Sequence, residues 1–215
     1  NSMRRLTNWA IVVLVLGLAA APKLSDWAVA KTDSQQSTSA DQDADFDFYL
    51  LALSWSPSYC AAQGDRASRD QCGLDKTYSF VVHGLWPQYE NGYPQSCQTR
   101  YGQRTPGSLE NSLLDIMPSR GLIRHQWRKH GTCTGLSQEA YFDKTRAARD
   151  SISIPQEYRA LTQFKTTSVA DVKRAFIAEN PGVDKDAFFV TCDRRRLREV
   201  RICLGKDLKP RKCGG

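Results

Sequence analysis

The strongest indication of the fold is the stretch FDFYLLAL at residues 46–53. Phe46, Phe48 and Leu50 alternate with their neighbours, and the apolar run then continues to Leu53. This pattern is typical of a β-strand buried in a sheet. A buried strand needs partners, and the chain contains three further strand-like runs.

These further strands lie on both sides of a helical region. Residues 78–82 predict a second strand that ends at Pro87, and residues 188–192 and 197–203 predict a hairpin around a basic turn. We also predict helices at residues 108–117, 125–130, 137–150 and after a cap at Ser168, and surface loops at residues 61–73 and 88–107. This order of elements indicates an α+β fold, with an antiparallel sheet packed against several helices, rather than a doubly wound sheet.

The N-terminal segment is predicted to be a targeting signal. Arg4 and Arg5 come before an apolar run at residues 9–21, and the A-V-A sequence at residues 28–30 fits a signal-peptidase site. We therefore predict a signal peptide at residues 1–30 and a secreted or periplasmic protein, with no stable membrane association once the signal is removed. An uncleaved membrane anchor is the alternative, although the apolar run is short for a transmembrane helix.

The remainder of the chain is predicted to form one domain after a short linker. Residues 31–45 are polar without apolar periodicity, which indicates a disordered linker. Residues 46–215 have the length of a single domain, and we expect a monomer. Contents of 40% hydrophobic and 25% charged residues exclude collagen, coiled coils and low-complexity chains.

The C-terminal end of the chain is basic. From Cys192 onward there are nine Lys or Arg residues and three Asp or Glu, a net charge of +6, whereas the whole chain carries +7. A basic end on a nearly neutral body favours a polyanionic partner such as nucleic acid. A solvated charged hairpin is the alternative.

The seven cysteines all follow the predicted signal peptide. None is in a C-x-x-C pair, so zinc ribbons, thioredoxin-type sites and c-type haem attachment are disfavoured. Scattered cysteines in an exported chain indicate structural disulfides. Because seven is odd, one thiol is left over or pairs between molecules.

All three histidines fall in two short segments, FVVHGLWPQY at residues 80–89 and HQWRKHGTC at residues 125–133. Imidazole is the side chain whose ordinary pKa lies closest to neutral pH, so it suits general acid–base catalysis. Concentrating every imidazole in this way indicates a catalytic site.

Helical spacing in the second segment brings the relevant side chains together. His125 and Lys129 are four residues apart, and so are Gln126 and His130, so all four can border one cleft that His83 reaches from a strand end. A neutral imidazole can take a proton from a hydroxyl, a charged one can protonate a leaving oxygen, and the cations can stabilise charge on phosphorus. RNA supplies its own 2′-hydroxyl nucleophile, so the first step requires no metal and no cofactor.

The histidines have two alternative interpretations, a zinc site and a structural role. His125 and His130 are five residues apart and diverge by about 140° around a helix. No H-E-x-x-H motif is present, which disfavours a zinc site. The histidines could also be structural, but their concentration beside Lys129 favours catalysis.

The two histidine segments resemble the active-site segments of the ribonuclease T2 family, as F-x-x-H-G-L-W-P at residues 80–87 and W-x-K-H-G-T-C at residues 127–133. LSWSPSYC at residues 53–60 resembles the family's first strand and first cysteine, and the resemblance covers about residues 46–213. It implies a metal-independent endoribonuclease that cleaves single-stranded RNA to 2′,3′-cyclic phosphates and then to 3′-phosphates.

The resemblance also implies a role for each matching residue. His83 would be the general acid and His130 the general base, Lys129 would stabilise the transition state, and His125 would bind phosphate. The residues implied to bind the substrate are Trp86, Gln88, Tyr93 and, in a more buried position, Phe80.

The sequence departs from the family pattern at two site positions. Gln126 stands where the family commonly has Glu, and Gln88 stands where it often has Asp. An amide can form hydrogen bonds but cannot hold a negative charge or take a proton. The alternative function is therefore a low-activity or non-catalytic RNA-binding protein with the same fold.

The resemblance implies a set of disulfides as well. The implied pairs are Cys60–Cys72, Cys97–Cys133 and Cys192–Cys203. Cys213 is then left without a partner.

Overall fold

The computed structural model describes residues 44–73, 78–159, 167–193 and 196–214. All of these belong to one compact unit, residues 39–215. The predicted signal peptide, nearly all of the predicted linker and the tip of the predicted hairpin lie outside the described residues. Within the described part of the chain, every helix is too short or too polar to cross a membrane.

The described residues form one four-stranded sheet in which all neighbouring strands are antiparallel, in the order β2-β1-β4-β3. The strands are β1 Phe48–Trp55, β2 Phe80–Gln88, β3 Phe188–Asp193 and β4 Arg196–Leu204. The predicted strands are confirmed, and so is the hairpin formed by the last two. The first predicted strand takes the central place that its apolar run requires.

The second strand is longer than predicted. It passes through Pro87 and ends at Gln88. Because β2 is an edge strand, one side of it has no neighbouring strand among the described residues, and a proline without an N–H is tolerated there. The prediction that Pro87 ends the strand is therefore wrong.

Six α-helices are described around this sheet. They are α1 Ser56–Gln63, α2 Arg69–Cys72, α3 Gly107–Leu113, α4 Arg120–Lys129, α5 Gln138–Asp150 and α6 Val169–Glu179. Ser119, Ser137 and Ser168 cap the last three through their hydroxyls, and Ser168 forms a full capping box with Asp171. Together the sheet and helices confirm the α+β fold.

The predicted loop at residues 61–73 is largely helical, which corrects the sequence prediction. Pro57, in the first turn of α1, fixes the backbone in a helical conformation. The Cys60–Cys72 disulfide then joins α1 to α2. Because seven of the eight residues of α1 are exposed or half-buried, its polar composition does not distinguish a helix from a loop. Residues 89–106, by contrast, are all described and contain no helix or strand, as predicted.

The hydrophobic core lies on one face of the sheet. Leu51 and Leu53 of β1, Leu85 of β2 and Ile202 of β4 are fully buried there, and they belong to one cluster with Trp127. Helices α4, α5 and α6 contribute large side chains to this cluster. The opposite face of β2 and β4 is thereby left for polar side chains.

Three disulfides are present among the described residues: Cys60–Cys72, Cys97–Cys133 and Cys203–Cys213. The first two predictions are confirmed. The predicted Cys192–Cys203 bond is wrong, and Cys192 is a free, exposed thiol.

The strand register explains this correction. Cys192 pairs with Leu197, six residues before Cys203 along β4, which at strand rise is about 20 Å away. A disulfide requires Cα atoms within about 7 Å. The chain instead turns back after β4, where Leu204 bridges to Pro210, and brings Cys213 to Cys203.

Candidate active site

A β-bulge at His83 shapes the centre of the site. Ala52 pairs with Gly84 and Leu53 pairs with Val82, so His83 is an extra residue without a partner on β1. A bulge turns the extra side chain and reverses the alternation that follows. Leu85 can therefore enter the core while the residues on either side of it face the other way.

His83 is held by a carboxylate that the sequence analysis did not single out. Its Nδ1 lies 2.5 Å from Glu199 Oε1, and because an ionised carboxylate only accepts hydrogen bonds, Nδ1 is the donor. Glu199 is only 1% exposed. Its other oxygen, Oε2, accepts hydrogen bonds at 2.8 Å from the guanidinium of Arg201.

Glu199 is ionised in this environment. Burial alone would raise the pKa of its carboxyl, but the hydrogen bond from His83 and the charge of Arg201 outweigh burial and hold the pKa below its usual range. The sequence does carry a signal for this residue. Glu199 is the one acidic residue of β4 and, two residues before Arg201, faces the same side of the sheet.

Trp86 lies between the two groups of histidines. Its ring centroid is 5.2 Å from that of His83, in an edge-to-face arrangement, and 5.2 Å from that of His130, in a stacked one. The guanidinium carbon of Arg201 lies 5.3 Å from the same ring. One indole thus connects the strand segment and the helix segment that the sequence analysis identified.

Gln126 holds the indole of Trp86 through a hydrogen bond. The indole N–H of Trp86 donates to Gln126 Oε1 at 2.7 Å, and Gln126 is only 1% exposed. This contact requires glycine at position 84, because a Cβ on Gly84 would lie 2.1 Å from Gln126 Oε1 and 2.2 Å from Trp86 Nε1. The glycine of H-G-L-W is therefore a packing requirement of the site.

His130 is buried and neutral. It terminates α4 as its C-cap residue and is 5% exposed. Burial, followed by the charges of Lys129, His125 and His83, lowers its pKa to about 3. Its Nδ1 has no hydrogen-bond partner among the described residues, so none of them accepts a hydrogen bond from this nitrogen that would stabilise an imidazolium.

His125 and Lys129 lie at the exposed edge of the site. His125 is exposed and Lys129 is half-buried. Desolvation, followed by the charges of Lys129, Arg128 and His83, lowers the pKa of His125. The ring contacts of Trp86 with His83 and His130 bring these two predicted imidazoles to one site, and His125 lies on the helix that ends at His130.

The loop that carries Tyr93 is attached to the end of α4. The Cys97–Cys133 disulfide and a hydrogen bond from the Ser96 N–H to the Lys129 carbonyl hold it there. Tyr93 is 50% exposed, and its ring lies 6.5 Å from that of His130. An exposed aromatic ring beside the buried imidazole is suited to stacking on a base.

The other two predicted substrate-binding residues are placed differently. Gln88 is half-buried at the end of β2, where its side-chain amide donates to the Pro87 carbonyl. Phe80 packs in the core against Trp55 and Phe176, at ring distances of 4.7 and 5.4 Å. The structure therefore does not bring Phe80 into the cleft.

A polar cleft of about 380 Å³ opens beside His83. Side chains from β1, α1, α2 and the β3–β4 hairpin line it, among them Ser54, Tyr59, Gln71, Arg196 and Arg198. Arg196 and Arg198 share this lining with the carboxylates of Asp193 and Glu199, so the cleft is charged and rich in hydrogen-bonding groups beside the imidazole.

Comparisons with known proteins agree with this geometry. The model of the ribonuclease T2 family matches residues 46–213. A ribonuclease of Aeromonas hydrophila is 37% identical over 203 residues, covering 91% of this chain and 85% of that protein. Ribonuclease I of Escherichia coli is 30% identical over 214 residues, covering 78% of each.

Solved structures show the same fold. RNase NT in complex with 5′-AMP superposes with a TM-score of 0.61 at 25% identity, covering 80% of this chain and 92% of that one. Ribonuclease MC1 from bitter gourd seeds gives a TM-score of 0.58 at 25% identity, with 76% and 92% covered. The chain belongs to the ribonuclease T2 family and is an endoribonuclease.

Proposed function

We propose that this enzyme cleaves single-stranded RNA by transesterification. The 2′-oxygen attacks phosphorus, the bond from phosphorus to the 5′-oxygen breaks, and a 2′,3′-cyclic phosphate forms. Water later opens the cyclic ester to a 3′-phosphate. The RNA supplies the nucleophile and two imidazoles move the protons, so neither a metal nor a cofactor is part of the reaction.

The observation that supports this assignment is the contrast between His83 and His130. His130, with a pKa of about 3, is neutral near neutral pH and can accept the proton of the 2′-hydroxyl. His83 is hydrogen-bonded to an ionised carboxylate, which stabilises an imidazolium that can protonate the leaving 5′-oxygen. A buried, neutral imidazole suits the base, and an imidazole that donates to a carboxylate suits the acid.

The neighbouring side chains would bind the phosphate and the bases. Lys129 stabilises the charge that develops on phosphorus, and His125 binds a phosphate oxygen at the edge of the cleft. Tyr93 is the exposed ring on which a base can stack. Trp86 is partly covered by His130 and Arg201, so it contributes mainly by holding the imidazoles.

RNA would cross the site with its leaving nucleoside beside His83. That nucleoside would enter the polar cleft of about 380 Å³, where Arg196 and Arg198 can meet the next phosphate. The complex of RNase NT with 5′-AMP supports nucleotide binding by this fold. We further propose that the enzyme acts as an exported monomer, and that Gln88 contributes to base preference.

The alternative of a non-catalytic RNA-binding protein is not favoured. All the imidazoles and the ammonium are present, and His130 is kept neutral. Gln126, the departure that suggested this alternative, has a defined structural contact with Trp86.

A single 2′-deoxynucleotide in an RNA oligonucleotide tests the mechanism. Cleavage in excess EDTA should proceed at every accessible ribonucleotide and stop only at the deoxynucleotide, because that position lacks the nucleophile. An all-RNA oligonucleotide of the same sequence is the control. Cleavage 3′ to the deoxynucleotide would refute attack by the 2′-oxygen.

A further inference from the structure

Glu199 carries an unusual arrangement of contacts for a carboxylate on a β-strand. It is 1% exposed, and its two oxygens have different partners. Oε1 binds His83 Nδ1 at 2.5 Å, and Oε2 binds the Arg201 guanidinium at 2.8 Å.

The sheet register builds this arrangement. Glu199 pairs with Ser54 of β1, and Arg201 pairs with Ala52, while Ala52 also pairs with Gly84, next to the bulged His83. The bulge is what brings the imidazole over the β4 side chains. Arg201 in turn lies over Trp86, so the carboxylate is held on one side while it holds the imidazole on the other.

We propose that Glu199, oriented by Arg201, is the positioning residue for the general acid His83. This inference rests on the proposed function, which makes His83 the acid. By accepting a hydrogen bond from Nδ1–H, the carboxylate leaves Nε2 to carry the transferred proton, and it stabilises the imidazolium before transfer. Glu199 itself neither gains nor loses a proton.

Besides Arg201, which contacts both Glu199 and Trp86, other charged groups lie around His83. They are His125 and Lys129 of α4, His130 after it, and Asp193, Arg196 and Arg198 of the hairpin, which share the cleft with His83. Apart from Glu199, only Asp193 in this set is anionic. Removing the Glu199 charge therefore takes away the anion that is hydrogen-bonded to His83 Nδ1.

A leaving-group comparison separates positioning from a merely structural role. In a ribodinucleotide the leaving group is the 5′-oxygen of the second nucleoside, an alkoxide that requires protonation. In the matching nucleoside 3′-(4-nitrophenyl phosphate) the leaving group is 4-nitrophenolate, which is stable without protonation. We expect Glu199→Gln to lower kcat/KM about 10- to 100-fold for the dinucleotide, which is part of the roughly 10²–10⁴ that general acid–base catalysis supplies, and less than about threefold for the nitrophenyl ester. His130→Ala should slow both substrates, since both require the base.

The matched control is Glu110→Gln. Glu110 is also 1% exposed and is bonded through both oxygens to Arg124, on α3 and α4, away from the β2–β4 face. Glu110→Gln should lower the thermal stability by a similar amount and leave the ratio of kcat/KM for the two substrates unchanged. If Glu199→Gln does not fold, Glu199→Asp, which keeps the charge but withdraws it from Nδ1, should show the same preference for the nitrophenyl ester.

The outcomes are distinguishable. If His83→Ala itself slows both substrates equally, the proposed acid role of His83 is wrong. If His83→Ala spares the nitrophenyl ester but the Glu199 variants slow both substrates equally, or neither, the positioning role of Glu199 is overturned while the proposed function stands.

Discussion

Replacing Gly84 with alanine should damage both the stability and the chemistry of this enzyme. The new Cβ would lie 2.1 Å from Gln126 Oε1 and 2.2 Å from Trp86 Nε1, and real Cβ contacts do not occur below 3.0 Å. Both atoms belong to one hydrogen bond, so the amide and the indole must retreat by about 1 Å. Overpacking of this kind costs about 1–3 kcal/mol, and the lost hydrogen bond adds about 1 kcal/mol.

Such a change should be visible in two measurements. A loss of about 2–4 kcal/mol should lower Tm by about 4–16 °C in a domain of this size. Because His130 stacks on Trp86, a shift of about 1 Å should also lower kcat/KM on a dinucleotide about 100-fold.

Gly107→Ala is the matched control for this substitution. A Cβ at Gly107, the first residue of α3, would meet no atom within 4 Å. It should leave the rate unchanged and Tm the same or slightly higher. If Gly84→Ala keeps the wild-type Tm and a rate within twofold, the packing argument for the site is refuted.

Three further predictions concern the disulfides and the helix segment. In denaturant unfolding, Cys213→Ser should lower the free energy of unfolding by about 2–4 kcal/mol, whereas Cys192→Ser should lower it by less than about 0.5 kcal/mol. Alkylation of the native protein should label Cys192, and labelling of Cys203 instead would contradict the pairing. Gln126→Glu should raise the pKa of His130. The acid limb of the pH profile of kcat/KM should then move to higher pH, and the rate above that limb should increase. An unchanged pH profile with the fold intact would refute an electrostatic coupling between residue 126 and His130. Between pH about 6.5 and about 3 the unfolded chain binds a proton at His130 that the folded chain does not, so this group should lower the free energy of unfolding by about 1.4 kcal/mol for each unit by which the pH decreases. His130→Asn should remove that part of the pH dependence of stability. The same pH dependence in the variant would show that His130 is not buried in its neutral form.

Local signals were enough to predict most of the fold. The apolar run of β1 predicted a buried strand, and the predicted helix at residues 137–150 and the predicted cap at Ser168 lie close to the observed starts of α5 and α6. The polar segment after Cys60 could not be assigned in this way, because an exposed helix and a loop have similar composition. The end of β2 was predicted wrongly because a proline interrupts an inner strand but is tolerated in an edge strand. Whether a strand lies at the edge is a property of the whole sheet and not of the local sequence.

The site was predicted in its parts but not in its connections. His83 and His130 were recognisable because few residue types do acid–base chemistry near neutral pH. Glu199 was not, because its contact with His83 depends on a bulge and on a register across three strands. The Cys203–Cys213 pair likewise depends on how the chain turns after β4.

The central claim is that the 2′-oxygen of RNA, and not water, attacks phosphorus in the first step. The direct measurement is cleavage of a ribodinucleotide in H₂¹⁸O with excess EDTA, followed over time by mass spectrometry. A 2′,3′-cyclic phosphate without ¹⁸O should accumulate first and then convert to a 3′-phosphate that carries one ¹⁸O atom. A linear phosphate that contains ¹⁸O from the earliest time points, or cleavage that requires an added divalent ion, would contradict the account.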